Sequence, residues 1–249
     1  MNPANSFIHE VPGLAEYAAT LKPETADEQA AREERERRAD ADALRSSVSR
    51  DDLLRDRGIP AKDRRRVIAD KLRNTRSMIR ARSWVTEPRR GLVIAGPPDA
   101  GKTTAASWLG SQEPSAADLR FWKPRTGQPV VVFVAAEFLL GAYHARGRER
   151  DPITGRNLLD LLSCWLLIVD DVGQEAGVAA DMVGEALDVL TRRRSDAGLR
   201  WVITTNLDQP DAAGFSARYG ARGQRLRETL IEHGVFFTAP AEGLRRGST

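Results

Sequence analysis

Leu92-Val93-Ile94-Ala95-Gly96-Pro97-Pro98-Asp99-Ala100-Gly101-Lys102-Thr103-Thr104 decides the fold of this chain. Four consecutive apolar residues read as a short buried strand, a glycine-bounded loop follows, and Lys102 opens a helix. The spacing is G-x-x-x-x-G-K-[ST], in the strand-to-helix context that gives the motif its meaning. Backbone N–H groups of such a loop and the helix N-terminus attract polyphosphate. The Lys102 ammonium neutralises the β/γ oxygens, and the Thr103 hydroxyl can ligate Mg²⁺. Gly96, Pro97, Pro98, Asp99, Ala100, Gly101, Lys102, Thr103 and Thr104 are therefore the expected nucleotide-binding loop.

Working outward, the pattern alternates strand and helix. Val130–Val134, Trp165–Val169, Trp201–Thr205 and Val235–Phe237 are further apolar strands. Helices are expected from Lys102 to about Leu109, after Glu137, from Asn157, from about Ala179 to Ser195, and from Ser216 to Glu232. Continuous apolar strands separated by helices predict an α/β domain, a five-stranded parallel sheet between helices.

The third strand ends in Asp170-Asp171, delivered to the same sheet edge as the loop. Asp170 is placed to hold Mg²⁺ through water and Asp171 to polarise an attacking water, a task more often given to Glu. Two acids capping a loop is the plainer alternative. A strand separates the loop from these carboxylates, an order typical of hydrolytic motor-type NTPases rather than small-molecule kinases. Thr204-Thr205-Asn206 ends the fourth strand, where the Asn206 amide can orient a lytic water. Arg222, Arg225 and Arg227 fall near the last helix. They suit a finger that stabilises phosphoryl-transfer charge in a neighbouring subunit, or a solvated helix face.

Before the ATPase-like region the composition changes. Residues 1 to about 50 hold one small apolar group, Phe7, Ile8, Val11, Leu14, Tyr17 and Leu21. Glu24 to Arg45 is mostly Ala, Glu, Asp and Arg, a composition for a solvated helix, a partner-dependent helix or disorder. From Arg55 to Arg90 arginines interleave with Ile68, Leu72 and Ile79, whose spacing predicts a basic amphipathic helix whose basic face packs in solvent or meets phosphates. Residues 1–54 are thus expected to form a charged helical arm and linker, and residues 55–249 the nucleotide-binding domain.

The 249 residues are 41% hydrophobic and 29% charged, with net charge +3. No apolar run approaches the ~18 residues of a membrane span. The N-terminus has no secretory pattern, so a cytoplasmic location with no membrane partner is expected. The single cysteine, Cys164, excludes an intramolecular disulfide and a multi-cysteine zinc site, and reads as a buried bystander.

Gly58-Ile59-Pro60 before a basic helix, the phosphate loop, Asp170-Asp171-Val172-Gly173, Thr204-Thr205-Asn206-Leu207, Tyr219-Gly220-Ala221-Arg222 with Arg225-Leu226, and Gly243-Leu244-Arg245-Arg246 together resemble the DnaC/IstB-type AAA+ ATPases. These are replicative-helicase loaders and transposition helper ATPases, and the resemblance runs from about residue 55 to 246. It implies that Lys102 and Thr103 form the first Walker motif, Asp170 and Asp171 the second, and Asn206 sensor 1. It implies Arg225 as the arginine finger with Arg222 as alternate, and Arg245 or Arg246 as sensor 2. It further implies ATP, Mg²⁺, spiral or ring-like self-association, single-stranded DNA contact and an N-terminal segment, here residues 1–50, that binds a replicative helicase. Arg146, Arg148 and Arg150 are the first choice for the DNA contact.

Asp99 departs from this resemblance by standing where the family usually has Gly. No cysteine-rich zinc element is expected before the domain, and with about a dozen residues after the last strand no full lid domain is expected. The reading is an ATP-dependent helicase loader. A transposition helper ATPase is the alternative within the class. A nucleotide-gated DNA-binding scaffold with negligible turnover is the alternative outside it.

Overall fold

Five apolar segments become five parallel strands in the computed structural model, which describes Gln29 and residues 50–123, 125–145, 149–175, 179–207 and 213–240. The strands are β1 (Gly91–Ala95), β2 (Val131–Ala135), β3 (Leu166–Val172), β4 (Arg200–Thr205) and β5 (Gly234–Thr238), in the order β2-β3-β4-β1-β5. Every pairing is parallel, and β1 lies between β4 and β5.

Among the described residues from Arg50 onward the α-helices are α1 (Arg50–Asp56), α2 (Ala61–Ile68), α3 (Arg76–Trp84), α4 (Lys102–Gly110), α5 (Ala136–His144), α6 (Leu158–Ser163), α7 (Ala179–Asp196) and α8 (Ala213–His233). Side chains of a strand alternate between the two sheet faces. Leu92, Ile94, Val131, Phe133, Leu166, Ile168 and Val202 accordingly pack with Leu54, Val67, Met78, Trp84 and Leu109 from α1 to α4. Val93, Val132, Val134, Leu167, Val169 and Ile203 pack on the other face with Leu139, Leu161, Leu187, Phe215 and Leu226 from α5 to α8. Both faces of the sheet are covered, which is why the strands are apolar at successive positions. A compact unit begins at Arg50, and α1 contributes Leu54, fully buried, to its core.

One register row shows how the sheet admits its largest side chain. Trp201 on β4 is paired with Gly91 on β1, and Gly91 with Gly234 on β5. A Cβ at Gly91 would lie 2.0 Å from Trp201 Cζ2, and one at Gly234 2.8 Å from its Cη2. The indole lies across two strands because both carry hydrogen in place of a side chain.

The basic segment differs from its expected form. Residues 69–75 are not helical, so one amphipathic helix is replaced by α2 and α3. Asp70 adopts a left-handed φ of 51°, and Thr75 caps α3 by accepting the Met78 N–H at 3.1 Å. Ile68 and Ile79 are exposed, and the buried apolar residues of the two helices are Val67, Met78, Ala81 and Trp84. Turn and cap chemistry overrode the apolar spacing.

Cys164 is fully buried, as expected of a bystander. Among the described residues no helix is long and apolar enough to cross a membrane. The apolar group Phe7 to Leu21 and the rest of the expected arm, Gln29 aside, lie outside the described residues up to 49, as do Arg146, Arg148, Arg245 and Arg246.

Candidate nucleotide site

In a doubly wound parallel sheet, ligands bind beyond the carboxyl ends of the strands, where neighbouring connections diverge. Here β1 leads away to the edge strand β2, and β4 leads across β1 to β5. The crevice between the ends of β1 and β4 holds a cavity of about 850 Å³, lined by Pro98, Asp99, Ala100, Gly101, Lys102, Thr103, Thr104, Asp171 and Asn206. Lys62, Asp63, Arg66, Lys71, Arg73 and Thr75 of the α2–α3 region complete its wall.

The loop's shape follows from its left-handed residues. Asp99 has φ 64° and Gly101 φ 75°. Asp99 thus takes the conformation in which glycine is at ease and Asp is tolerated. At Gly101 the neighbourhood also forbids a side chain, since a Cβ would come within 2.9 Å of Thr75 Oγ1. Ser77 Oγ donates to the Ala100 carbonyl at 2.7 Å, so α3 braces the loop from outside the cavity.

Lys102 is 5% exposed, and its ammonium donates to Gly96 O at 2.8 Å, Pro97 O at 2.7 Å and Asn206 Oδ1 at 2.7 Å. Two of these acceptors belong to the loop and the third to the end of β4. The lysine is held at the cavity wall by neutral oxygens, each of which a phosphate oxygen can replace with a stronger charge-assisted contact.

The carboxylate pair sits at a β-bulge. Register passes from Val169↔Ile203 to Val172↔Thr205, so Asp170 and Asp171 both oppose Thr204. The Thr204 hydroxyl serves both: it donates to Asp170 Oδ1 and accepts the Asp171 N–H at 3.0 Å. Asp171 has φ 57° and is exposed into the cavity, while Asp170 is 5% exposed. The bulge re-aims one carboxylate to the cavity and leaves the other in the wall.

Asp170 Oδ1 also accepts from Thr103 Oγ1 at 3.1 Å. Burial, reinforced by the nearby Asp171 and Asp63 carboxylates, pushes the Asp170 carboxyl up to about 6, against the pull of Thr204 and Thr103. A desolvated carboxylate beside a hydroxyl is a hard-oxygen donor set that fits Mg²⁺, which takes one or two protein ligands and completes its shell with phosphate and water. Asp170 and Thr103 are the residues that would hold it.

The α2 helix is fastened to the first turn of α4. Thr104 Oγ1 donates to buried Asp63 Oδ1 at 2.7 Å, and Arg66 reaches both Thr104 Oγ1 at 3.3 Å and Asp63 at 3.5 Å. Reading the motifs alone missed Asp63 and Thr204 as parts of this site. A hydroxyl in the fully buried run Trp201-Val202-Ile203-Thr204 was the available signal for Thr204. For Asp63, one acid within a run of bases was the signal.

Arg222 and Arg225 are exposed on α8 and neither lines this cavity. Arg222 pairs with Glu185 of α7 at 2.6 Å. Arg150, the described member of the three arginines expected to meet DNA, donates to Gly155 O and Asp160 Oδ2, both at 2.7 Å. Its charge is already compensated locally.

No protein-family model and no curated protein matches the sequence. Among solved structures the chain is similar to that of the DnaC helicase loader, at 21% identity and TM-score 0.44, covering 66% of this chain and 88% of that one. It is similar to DnaI at 20% identity and TM-score 0.43, covering 69% and 89%. It is similar also to a putative primosome component from Streptococcus pyogenes serotype M3, at 17% identity and TM-score 0.45, covering 72% and 88%. The parallel sheet in the order β2-β3-β4-β1-β5, sandwiched between helices with the phosphate-type loop at the end of β1, is the fold of an AAA+ P-loop NTPase.

Proposed function

We propose that this chain is an ATP-hydrolysing switch of the helicase-loader kind. The observation that carries the reading is the convergence of Lys102, from the start of α4, with Asp170 and Asn206, from the ends of β3 and β4, around one cavity with Thr103 and Asp171. The ordered motifs from Gly58 to Arg246 support the loader class, since they resemble the DnaC/IstB-type ATPases in sequence order.

In this reading Lys102 exchanges its loop carbonyls and Asn206 for the β/γ oxygens of ATP. Mg²⁺ supplies charge neutralisation across those oxygens when bound. Asp171, exposed in the cavity, takes the proton of the attacking water, and Asn206, once released by Lys102, orients that water. Arg225, or Arg222 after breaking its pair with Glu185, reaches the nucleotide of a neighbouring subunit in a spiral or ring-like assembly. ATP at subunit junctions then orders the oligomer on single-stranded DNA and the partner helicase, and hydrolysis releases them. Residues 1–50 supply the helicase contact through Phe7, Ile8, Val11, Leu14 and Tyr17.

The test is ATP turnover by the full chain with and without single-stranded DNA, followed by capture of the cognate replicative helicase. DNA-stimulated turnover and helicase capture that is lost on deleting residues 1–50 are expected. Capture undiminished by the deletion refutes the role of the arm. A second reading, a nucleotide-gated DNA-binding scaffold, is favoured by Asp171, which is one methylene shorter than the Glu usual for this task. ATP-dependent DNA binding without measurable turnover selects that scaffold.

A further inference from the structure

Glu175 is a buried carboxylate that the nucleotide chemistry does not use. It is 6% exposed and does not line the cavity, although it follows Asp171 by only a few residues. Its two oxygens accept the Gly173 N–H at 3.0 and 3.1 Å. Gly173 has φ 97°, so the segment leaving β3 turns back and is closed by its own carboxylate.

The second partner of Glu175 comes from a distant element. Tyr219 Oη donates to Glu175 Oε2 at 3.0 Å, and Tyr219 is 1% exposed. Burial and the adjoining carboxylate push the phenol's pKa far up, so it remains a donor. Holding a carboxylate in the core by hydrogen bonds from a backbone N–H and a phenol is costly, and a simple packing role is met more cheaply by an apolar residue.

Tyr219 is also the last residue before a break. α8 is helical on both sides of Gly220, which has φ 58° and ψ −137°, a backbone conformation suited to glycine. A Cβ at Gly220 would meet no atom within 4 Å, so packing at that residue does not set the angle. The flanks set it. Before the break Tyr219 is tied to Glu175; after it, Gly223 lies against Phe215, where a Cβ would approach the Phe215 carbonyl to 2.0 Å. Arg222 and Arg225 are on the part beyond the break.

We propose that the Glu175–Tyr219 hydrogen bond is the link through which the end of β3, which carries Asp171, sets the direction of the arginine-bearing half of α8. Glu175 and Tyr219 are then positioning residues for the arginine that acts on the neighbour's nucleotide. The inference rests on the ATPase reading above. A displacement at the end of β3 on nucleotide binding is carried by a buried bond to a residue adjoining a hinge, so nucleotide state and arginine placement become coupled.

The experiment compares the full-length wild type with Tyr219→Phe, Arg225→Ala and the double variant. It measures nucleotide affinity, kcat and KM in the assembled state, and thermal melting. Tyr219→Phe removes one oxygen and keeps the ring. Melting and nucleotide affinity close to wild type are expected, with kcat reduced about tenfold at unchanged KM, within the usual range of coupling between sites. In the Arg225→Ala background the same change should cost nothing further, because Tyr219 acts through the finger; a merely structural role would lower both backgrounds alike. Glu175→Gln keeps a carbonyl acceptor for the phenol and should fall between wild type and Tyr219→Phe. It provides the same comparison if Tyr219→Phe lowers the melting temperature. Full kcat in both variants, or losses that multiply with Arg225→Ala, overturn the inference while the ATPase reading stands. A wild type without turnover, or a fully active Arg225→Ala, overturns the ATPase or finger reading first and the inference with it.

Discussion

Lys102 and Asn206, separated by 104 residues, meet at 2.7 Å, the ammonium donating to the side-chain amide oxygen. The contact joins the start of α4 to the end of β4 at the candidate nucleotide cavity. A phosphate group entering there competes with an amide that is itself a candidate for handling water.

Replacing Asn206 separates these two roles. Asn206→Asp puts a carboxylate against the ammonium, and the resulting ion pair competes with the nucleotide, so affinity should fall roughly tenfold or more. Asn206→Ala releases Lys102 and should leave affinity at or above wild type while lowering turnover. Titration of a fluorescent nucleotide alongside steady-state hydrolysis checks both; equal affinities for the two variants would show that Lys102 does not exchange partners.

Lys102→Ala removes the cation itself. Hydrogen bonds to charged groups contribute about 1.5–3 kcal/mol, so nucleotide affinity should drop roughly 10- to 100-fold. An unchanged titration curve would place the nucleotide elsewhere.

Asp170 makes apo stability depend on pH. Its carboxyl is raised from 3.8 to about 6 in the folded state, so between those values the folded protein binds more protons than the unfolded one. Stability therefore falls as pH rises through that window, by up to about 3 kcal/mol. Asp170→Asn should stabilise the metal-free protein at pH 7.5 and have little effect near pH 4. Urea denaturation in a chelator at the two pH values measures the difference, and a gap independent of pH would contradict it. The same variant should lose Mg²⁺-dependent hydrolysis more than nucleotide binding.

Arg225→Ala should bind ATP as wild type does and lose on the order of 10³-fold in turnover once assembled, if the finger acts in trans. Mixing it with Lys102→Ala pairs a sound pocket with a sound finger at some junctions, and part of the activity should return. Co-assembled mixtures that stay inactive would transfer the assignment to Arg222.

Arg194 offers a test of the core. It is fully buried, and its guanidinium donates to the carbonyls of Leu161, Cys164, Trp165 and Arg200, with Cys164 Sγ 3.4 Å from Nη1. Arg194→Ala leaves those carbonyls without this partner and opens a cavity, and should cost about 3–5 kcal/mol. Burial also pushes the Cys164 thiol up, so it should resist thiol reagents in the native state and react in the variant at a rate set by opening. Rapid labelling of the native wild type would show that this core is more open than the structure describes.

Much of this architecture was legible in short patterns. Strand β1, the glycine loop and Lys102 form one continuous motif, and the remaining strands are apolar runs bounded by turn residues. The two-helix form of residues 61–84 was not legible, because one apolar spacing suits either a continuous helix or two short ones until Asp70 turns and Thr75 caps.

The amino-acid sequence by itself determined the parallel α/β class and the phosphate-type loop, because hydrophobic period and motif spacing are local properties of the chain. It also marked Asp170, Asp171 and Asn206 as residues at strand ends. Only the tertiary structure decided that Thr204 holds the Asp170 carboxylate and the Asp171 N–H at a bulge, that Asp63 fastens α2 to α4, and that Tyr219 reaches Glu175 beside the break in α8. Each of these depends on register, burial and the approach of segments distant in sequence, and a carboxylate or hydroxyl acquires a role only when the fold has removed water from it and supplied its partner.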